Sequence, residues 1–223
     1  SDFELQLDWR TSPKGNSGII FRIAEQHDYP WMTGPEFQLL DDGSTKESLN
    51  DKHSAGALYD IISPINNPAK GDTAEPKLLS PVGQPNNARI RITGGTLQHF
   101  LNGTKLVETR IDDAAWLAMI AGSKFKDFKG FGIVPKGHIA LQDHGDTMWF
   151  ANIKVRDLTK PMPGEVKLFD GDSLSGWKVV CPLASEKDTP DSVKKAAEST
   201  WTAADGTLRC NGTPNGYLKT DKT

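Results

Sequence analysis

Three short stretches of this sequence concentrate side chains that can move protons or hold hydroxyl groups. In Pro35 to Asp41, strand alternation puts Glu36 and Gln38 on one face with Leu40, turns Phe37 and Leu39 into a core, and leaves Asp41 near the strand end. A carboxylate beside a carboxamide on a solvent-accessible sheet face can hydrogen-bond sugar hydroxyls or act as a base; the plainer reading is an ordinary polar outer face. In His53 to Asp60, the small residues Ala55, Gly56 and Ala57 point to a close backbone approach or a crowded pocket wall. His53 and Asp60 are then available as acid–base groups; the plainer reading is a buried Tyr59 satisfied by a neighbour. In Gly137 to Gly145, Gln142, Asp143 and His144 gather at a strand end. Asp beside His orients and charges an imidazole, or binds a metal when other ligands converge, but no third ligand sits at fixed spacing. His99, between Leu97 and Phe100, reads as a structural histidine on an apolar strand.

Strands must position these groups. Phe3, Leu5, Leu7 and Trp9 alternate with polar neighbours, the pattern of a half-buried antiparallel strand. Gly15 to Gly18 turns the chain into the more apolar Ile19 to Arg22. Arg89 to Thr93, Leu97 to Leu101 and Lys105 to Thr109 are separated by Gly94-Gly95 and Asn102-Gly103, whose positive-φ preference suits tight hairpins. Asp112 to Ile120 reads as one short helix ended by Gly122. A second meander runs through His138 to Gln142, Met148 to Phe150 and Ile153 to Arg156. Thr159 to Gly164 has linker chemistry, and beyond it strands are expected at Leu168 to Gly171, Trp177 to Val180, Thr207 to Cys210 and Tyr217 to Thr220, with a weak helical stretch at Val193 to Glu198. These last sixty or so residues carry too few apolar side chains for a core of their own, so they are expected to complete a sandwich begun by residues 1–158, across a linker at 159–167.

Composition narrows the function. The 223 residues carry a net charge of −3, with 36% hydrophobic and 25% charged residues, which excludes a disordered chain and argues against an electrostatic nucleic-acid binder. The 21 glycines, 14 prolines and six tryptophans suit short strands joined by defined turns. No transmembrane segment is expected, and Ser1 to Glu4 does not open a signal peptide. Cys181 and Cys210 lie in no CxxC, so zinc-knuckle and redox motifs find no support, while one disulfide and two free thiols stay open. There is no Gly-x-Ser-x-Gly elbow, Walker loop, GxGxxG or HExxH. Asn102-Gly103-Thr104 and Asn211-Gly212-Thr213 match the glycosylation triplet but are explained as turns.

Taken together, Gly15 to Arg22, Pro35 to Asp41, Ala55 to Asp60, Ser123-Lys124-Phe125 and Gly137 to Gly145 resemble, in the same order, the motifs of the 3-keto-disaccharide hydrolase family of Bacteroidetes and Planctomycetes. The resemblance implies an all-β, concanavalin-like jelly-roll sandwich of two antiparallel sheets with one or two short helices. It also implies a periplasmic, secreted or cell-surface location and action on glycosides whose C3 hydroxyl has been oxidised to a ketone. The order departs from the family in one respect. A segment like Leu168 to Trp177 opens the family's domain and one like Gly216 to Thr220 runs into one like Asp2 to Leu5, so a circular permutation or a chain cut across two tandem copies is expected, with the two termini close together.

A C3 ketone acidifies the C2 proton, so a base can remove it and the C1 oxygen can leave by elimination, water then adding to the enone. Glu36, Asp60 and His144 are the candidates for base and acid. Arg22, His53 or a bound divalent metal would stabilise the oxyanion, and Asn16, Gln38, Asp41, Tyr59, His99 and Asp143 would orient sugar hydroxyls or their neighbours. No other cofactor is indicated, the partner is an oligosaccharide or glycoside, and the sequence does not fix an oligomeric state. Two rivals follow from the same residues: a conventional glycosidase with Glu36 and Asp60 as its carboxyl pair, and a non-catalytic sugar-binding sandwich with Trp31 or Trp149 as an aromatic platform.

Overall fold

The computed structural model describes residues 2–43, 52–64, 79–160, 165–181, 199–213 and 215–221. Alternation in the first strand sets the pattern. In β1 (Phe3–Thr11) every odd-numbered side chain is buried, as a sheet with one packed and one outward face requires. Residues β2 (Asn16–Ile23), β3 (Glu36–Leu40), β4 (Asn86–Thr93), β5 (Thr96–Leu101) and β6 (Thr104–Arg110) follow, then the helix α1 (Ala114–Ala121), β7 (His138–Asp143), β8 (Met148–Asp157), β9 (Glu165–Lys167), β10 (Trp177–Val180), β11 (Trp201–Ala204), β12 (Thr207–Cys210) and β13 (Gly216–Thr220).

These strands form two antiparallel sheets. The larger runs β11-β12-β8-β1-β4-β5-β6, with β9 added beside the far part of β8, and the smaller runs β10-β13-β7-β2-β3. Leu5, Leu7 and Trp9 from the larger sheet meet Ile19, Phe21, Phe37 and Leu39 from the smaller in one buried cluster. Each such fully buried side chain contributes about 1.5–3 kcal/mol relative to exposure. The fold is the all-β jelly-roll sandwich, with the short helix α1 after β6.

Local chemistry explains where the elements depart from expectation. The helix starts later than Asp112 because that carboxylate is taken by Arg110, at 2.9 and 2.6 Å. Asp113 caps the helix instead, accepting the Trp116 N–H at 2.8 Å, the usual service of an Asp at that position. Met148 to Arg156 forms one strand, bent at Asn152, which takes φ 52°. The expected strand at Leu168 to Gly171 sits earlier, at β9, because the Asp170 carboxylate accepts the N–H groups of Asp172 and Ser173 and turns the chain. Strand β11 was not anticipated; its only buried side chain is Trp201. The expected linker residues 161–164 and the helical stretch Val193 to Glu198 lie outside the described residues. Cys181 and Cys210 are free thiols.

The late strands enter both sheets. β12 pairs with β8, β9 with β8, and β13 with both β7 and β10. Leu218, at the middle of β13, is fully buried in the common core. Leu218→Ala should therefore cost about 2–5 kcal/mol, read as a lower urea midpoint for one cooperative transition; a change near zero would mean that β13 is peripheral to the core.

Candidate active site

Strand β3 is the keel of the site. On one edge it pairs with β2, Gly18 facing Gln38 and Ile20 facing Glu36. On the other edge the 56–59 segment runs beside it, through Gln38 N–H to Ala57 O at 3.2 Å, Gly56 N–H to Gln38 O at 2.8 Å and Tyr59 N–H to Glu36 O at 3.0 Å. That approach explains the small residues of the segment. Gly56 has φ 84°, and a Cβ there would lie 2.3 Å from Leu106 Cδ1. The outcome is that Glu36, Gln38 and Tyr59, distant in the chain or pointing away from its core, open on one hollow.

That hollow is a cavity of about 420 Å³ on the outer face of the smaller sheet, and Asn16, Glu36, Gln38, Tyr59, Gln142 and His144 line its polar side. Trp31, Phe125 and Phe128 line the rest together with Lys124. Gln38 Nε2 donates to Asn16 Oδ1 at 3.1 Å, which fixes both amides with their remaining polar atoms available. Trp31 is braced by Tyr29, stacked at 5.2 Å, and by the edge of Phe128 at 5.3 Å.

The expectation of a solvent-accessible face at Glu36 and Gln38 is corrected by their burial, 6% and 2% exposed. The Glu36 carboxyl lies over Gly18, where a Cβ would come 1.9 Å from Oε1 and 2.5 Å from Cδ. Burial disfavours its charged form and pushes its pKa up to about 8, against a smaller downward pull from Lys124. At neutral pH this is a protonated carboxylic acid, a group able to donate a proton into the cavity.

Lys124 is held by the end of α1. Ser123 Oγ donates to Ile120 O at 2.8 Å and accepts the Phe125 N–H at 3.1 Å, while the Lys124 N–H donates to Asp60 Oδ2 at 2.7 Å. Its Nζ sits 4.0 Å from the centre of the Tyr59 ring, a cation–π seat. Asp60, at φ 60°, also accepts from His53 Nε2 at 2.9 Å, and the His53 ring lies 4.8 Å from that of Tyr59. Burial raises the Asp60 pKa, but the Lys124 N–H and His53 outweigh it and hold the carboxylate below its ordinary range. His53 and Asp60 thus form a hydrogen-bonded pair behind Tyr59 and Lys124, one layer back from the groups that line the hollow.

Several expected site residues lie elsewhere. Arg22, at φ 55°, is half-buried with its charge near Asp2 and Asp112. His99 is fully buried in the core, 4.6 Å from Phe37 and 6.0 Å from Phe21 by ring centres, with Nδ1 3.3 Å from Gly56 O; burial lowers its pKa to about 3. Asp41 accepts the Lys14 N–H at 2.8 Å and fastens the start of β2 to the end of β3. Asp143 accepts the Gly145 N–H at 2.9 Å and shapes the turn that carries His144, its own pKa raised by burial. Trp149 is on the opposite sheet. Lys124, Phe125, Phe128 and Gly18 are not among the expected site residues; the stretches Ser123-Lys124-Phe125 and Gly15 to Arg22 carry the first two and Gly18, and nothing in the sequence marks Phe128. Among the described residues no three His, Cys, Asp or Glu side chains gather as metal ligands.

The chain was compared with known proteins. The profile of the 3-keto-alpha-glucoside-1,2-lyase-like domain matches residues 1–156. The chain belongs to this family. A 3-keto-disaccharide hydrolase of Bacteroides thetaiotaomicron is 29% identical over 180 residues, covering 70% of this chain and 59% of that protein, so the chain spans about three fifths of this relative's length. Two crystal structures of proteins from Parabacteroides distasonis, both described as glycosyl hydrolases, share the fold. One has TM-score 0.60 and 30% identity over 70% of each chain; the other has TM-score 0.52 and 27% identity over 70% of this chain and 78% of its own.

Two outcomes test the geometry of this lyase-like domain. Gly18→Ala should expel the Glu36 carboxyl from its seat, and its pKa should fall from about 8 toward the ordinary glutamate value of about 4.3, as read by carbon NMR titration. Because the folded-state pKa is raised, the protein's stability relative to Glu36→Gln should be full below the unfolded-state value of about 4.3, fall as pH rises from there, and level off once pH passes about 8; parallel denaturation curves at several pH values measure it.

Proposed function

We propose that this chain cleaves glycosides bearing a ketone at C3, by removing the C2 proton and eliminating the substituent at C1. The observation that carries the reading is the buried, protonated Glu36 beside Lys124 in a cavity with fixed amides. The name of the family domain, a 1,2-lyase on 3-keto-α-glucosides, and that of the Bacteroides relative support the same chemistry.

The roles divide by protonation and position. His144 at the cavity wall takes the C2 proton, and the electron pair of that C–H bond passes to the C3 oxygen as an enolate. The Lys124 ammonium stabilises the developing negative charge. As the C3 carbonyl re-forms, the pair moves to a C1–C2 double bond, the C1–O bond breaks, and Glu36 delivers its proton to the leaving oxygen. Water adding across the double bond completes net hydrolysis. Asn16, Gln38 and Gln142 hold ring hydroxyls, Trp31 and Phe128 seat the departing group, and the His53–Asp60 pair keeps Lys124 and Tyr59 in place.

The ketone is the decisive part of the substrate. Incubation with a 3-keto-glucoside and with its unoxidised parent should release aglycone only from the first; release from the parent would favour a two-carboxylate glycosidase, and binding without turnover a sugar-binding module. Glu36→Gln should lower kcat by about 10²–10⁴-fold. With Glu36 as the acid, kcat should fall as pH rises through about 8; a rise over the same interval would make Glu36 the base.

A further inference from the structure

A second hollow, of about 330 Å³, opens on the larger sheet. The alternation of β1 and β8 places it on the outward face, since Met148 and Phe150 are buried in the core while Trp149 and Ala151 are not. The cavity described above is on the outward face of the other sheet, so the two open on opposite sides of the sandwich.

Its construction is specific. Ala151 faces Asp8 on β1 and Thr207 on β12, and this small residue leaves a depression between longer neighbours. In the adjoining row Trp149 faces Arg10 and Arg209, and the Arg10 guanidinium carbon lies 5.3 Å from its ring centre. The register of β1 against β8 slips between Gln6 and Asp8, opposite the strained Asn152 at φ 52°. That irregularity lets Asn152 Nδ2 donate to Asp8 Oδ2 at 2.6 Å, while Asn87 Nδ2 donates to Asp8 Oδ1 at 2.7 Å. Clamped from both sides, the carboxylate keeps lone pairs for further donors.

We infer that this hollow is a holding site for one pyranose unit of an oligosaccharide, separate from the cavity of Glu36. An aromatic ring accepts the apolar C–H face of a sugar. A clamped carboxylate accepts two vicinal hydroxyls, and Asn152, Thr207 and Arg10 supply donors at the ring's edge. An apolar ligand would leave Asp8 and Arg10 unpaid for in hydrogen bonds, and a phosphate would meet the Asp8 charge at close range. Such a site would keep a glycan chain on the protein without reacting with it, and it stands whether or not the proposed elimination is correct.

The test is binding, not turnover. The full chain is titrated separately with cellohexaose, maltohexaose and trigalacturonate, each to about 10 mM, a range that reaches the weak affinities of single sugar subsites. The Trp149 indole N–H, identified by its loss in Trp149→Phe, is followed by NMR. At least one saccharide should shift that resonance, and a shift with trigalacturonate alone would assign Arg10 to the carboxylate of an acidic sugar. Trp149→Ala, which lacks the reporter indole and is therefore read from the backbone amide shifts of Ala151 and Thr207, should weaken this binding about tenfold or more. Ala151→Leu, which fills the depression at a surface position, should abolish it with the circular dichroism spectrum unchanged, so that loss of binding is not loss of fold. Cleavage of a small 3-keto-glucoside, if the chain has it, should be the same in both variants. No indole shift with any of the three, or an undiminished affinity in Ala151→Leu, overturns the inference.

Discussion

One constraint organises the smaller sheet: a glutamic acid must be buried without a charge partner strong enough to ionise it. Glu36 can be buried because the residue diagonal to it across the strand pair is glycine, with no Cβ to occupy the space its carboxyl needs. Burial then disfavours the carboxylate, and the proton stays on. Gly18, the tight pairing of β2 with β3 and the close approach of the 56–59 segment are one device seen from three sides. Move β3 outward and water reaches the carboxyl; give Gly18 a side chain and the carboxyl leaves.

The same constraint explains why the charged groups stand where they do. Lys124 is near enough to pull on Glu36 but not to hold its carboxylate as a salt bridge, because its backbone is tied to Asp60 and its head rests on Tyr59. The negative charge of Asp60 is in turn spent on His53 and on that backbone N–H. Had Asp60 faced the cavity instead, Lys124 would have been drawn to it and the cavity would have lost its cation.

Period-two patterning made most of the fold legible. Strands β1, β3, β4 to β7 and β12 follow directly from alternating apolar residues and glycine turns, and the pairing of Glu36 with Gln38 on one face required nothing else. What did not show was register. Nothing local places Tyr59 against Glu36, or brings Lys124, more than sixty residues further along the chain, over Tyr59; those depend on which strand edges meet. Arg22 and His99 misled for a related reason. A lone polar residue in an apolar strand has an outward and an inward option, and His99 takes the inward one, where a neutral imidazole packs between phenyl rings. At Arg22 a positive φ breaks the alternation on which its facing was read.

Protonation ties the proposed chemistry to folding. The form of Glu36 that the buried environment favours is the neutral acid, and the proposed elimination uses that same form to protonate the leaving oxygen. Were Glu36 the base, each turnover would draw on the disfavoured carboxylate, at a cost of about 1.4 kcal/mol per pH unit below the pKa. With a pKa of about 8, that is roughly a tenfold loss at pH 7 before any chemistry begins. The cost is small enough for an enzyme to tolerate, so it does not forbid the base role. It does mean that an acid at this position asks nothing further of the fold, whereas a base must start from the form that burial disfavours.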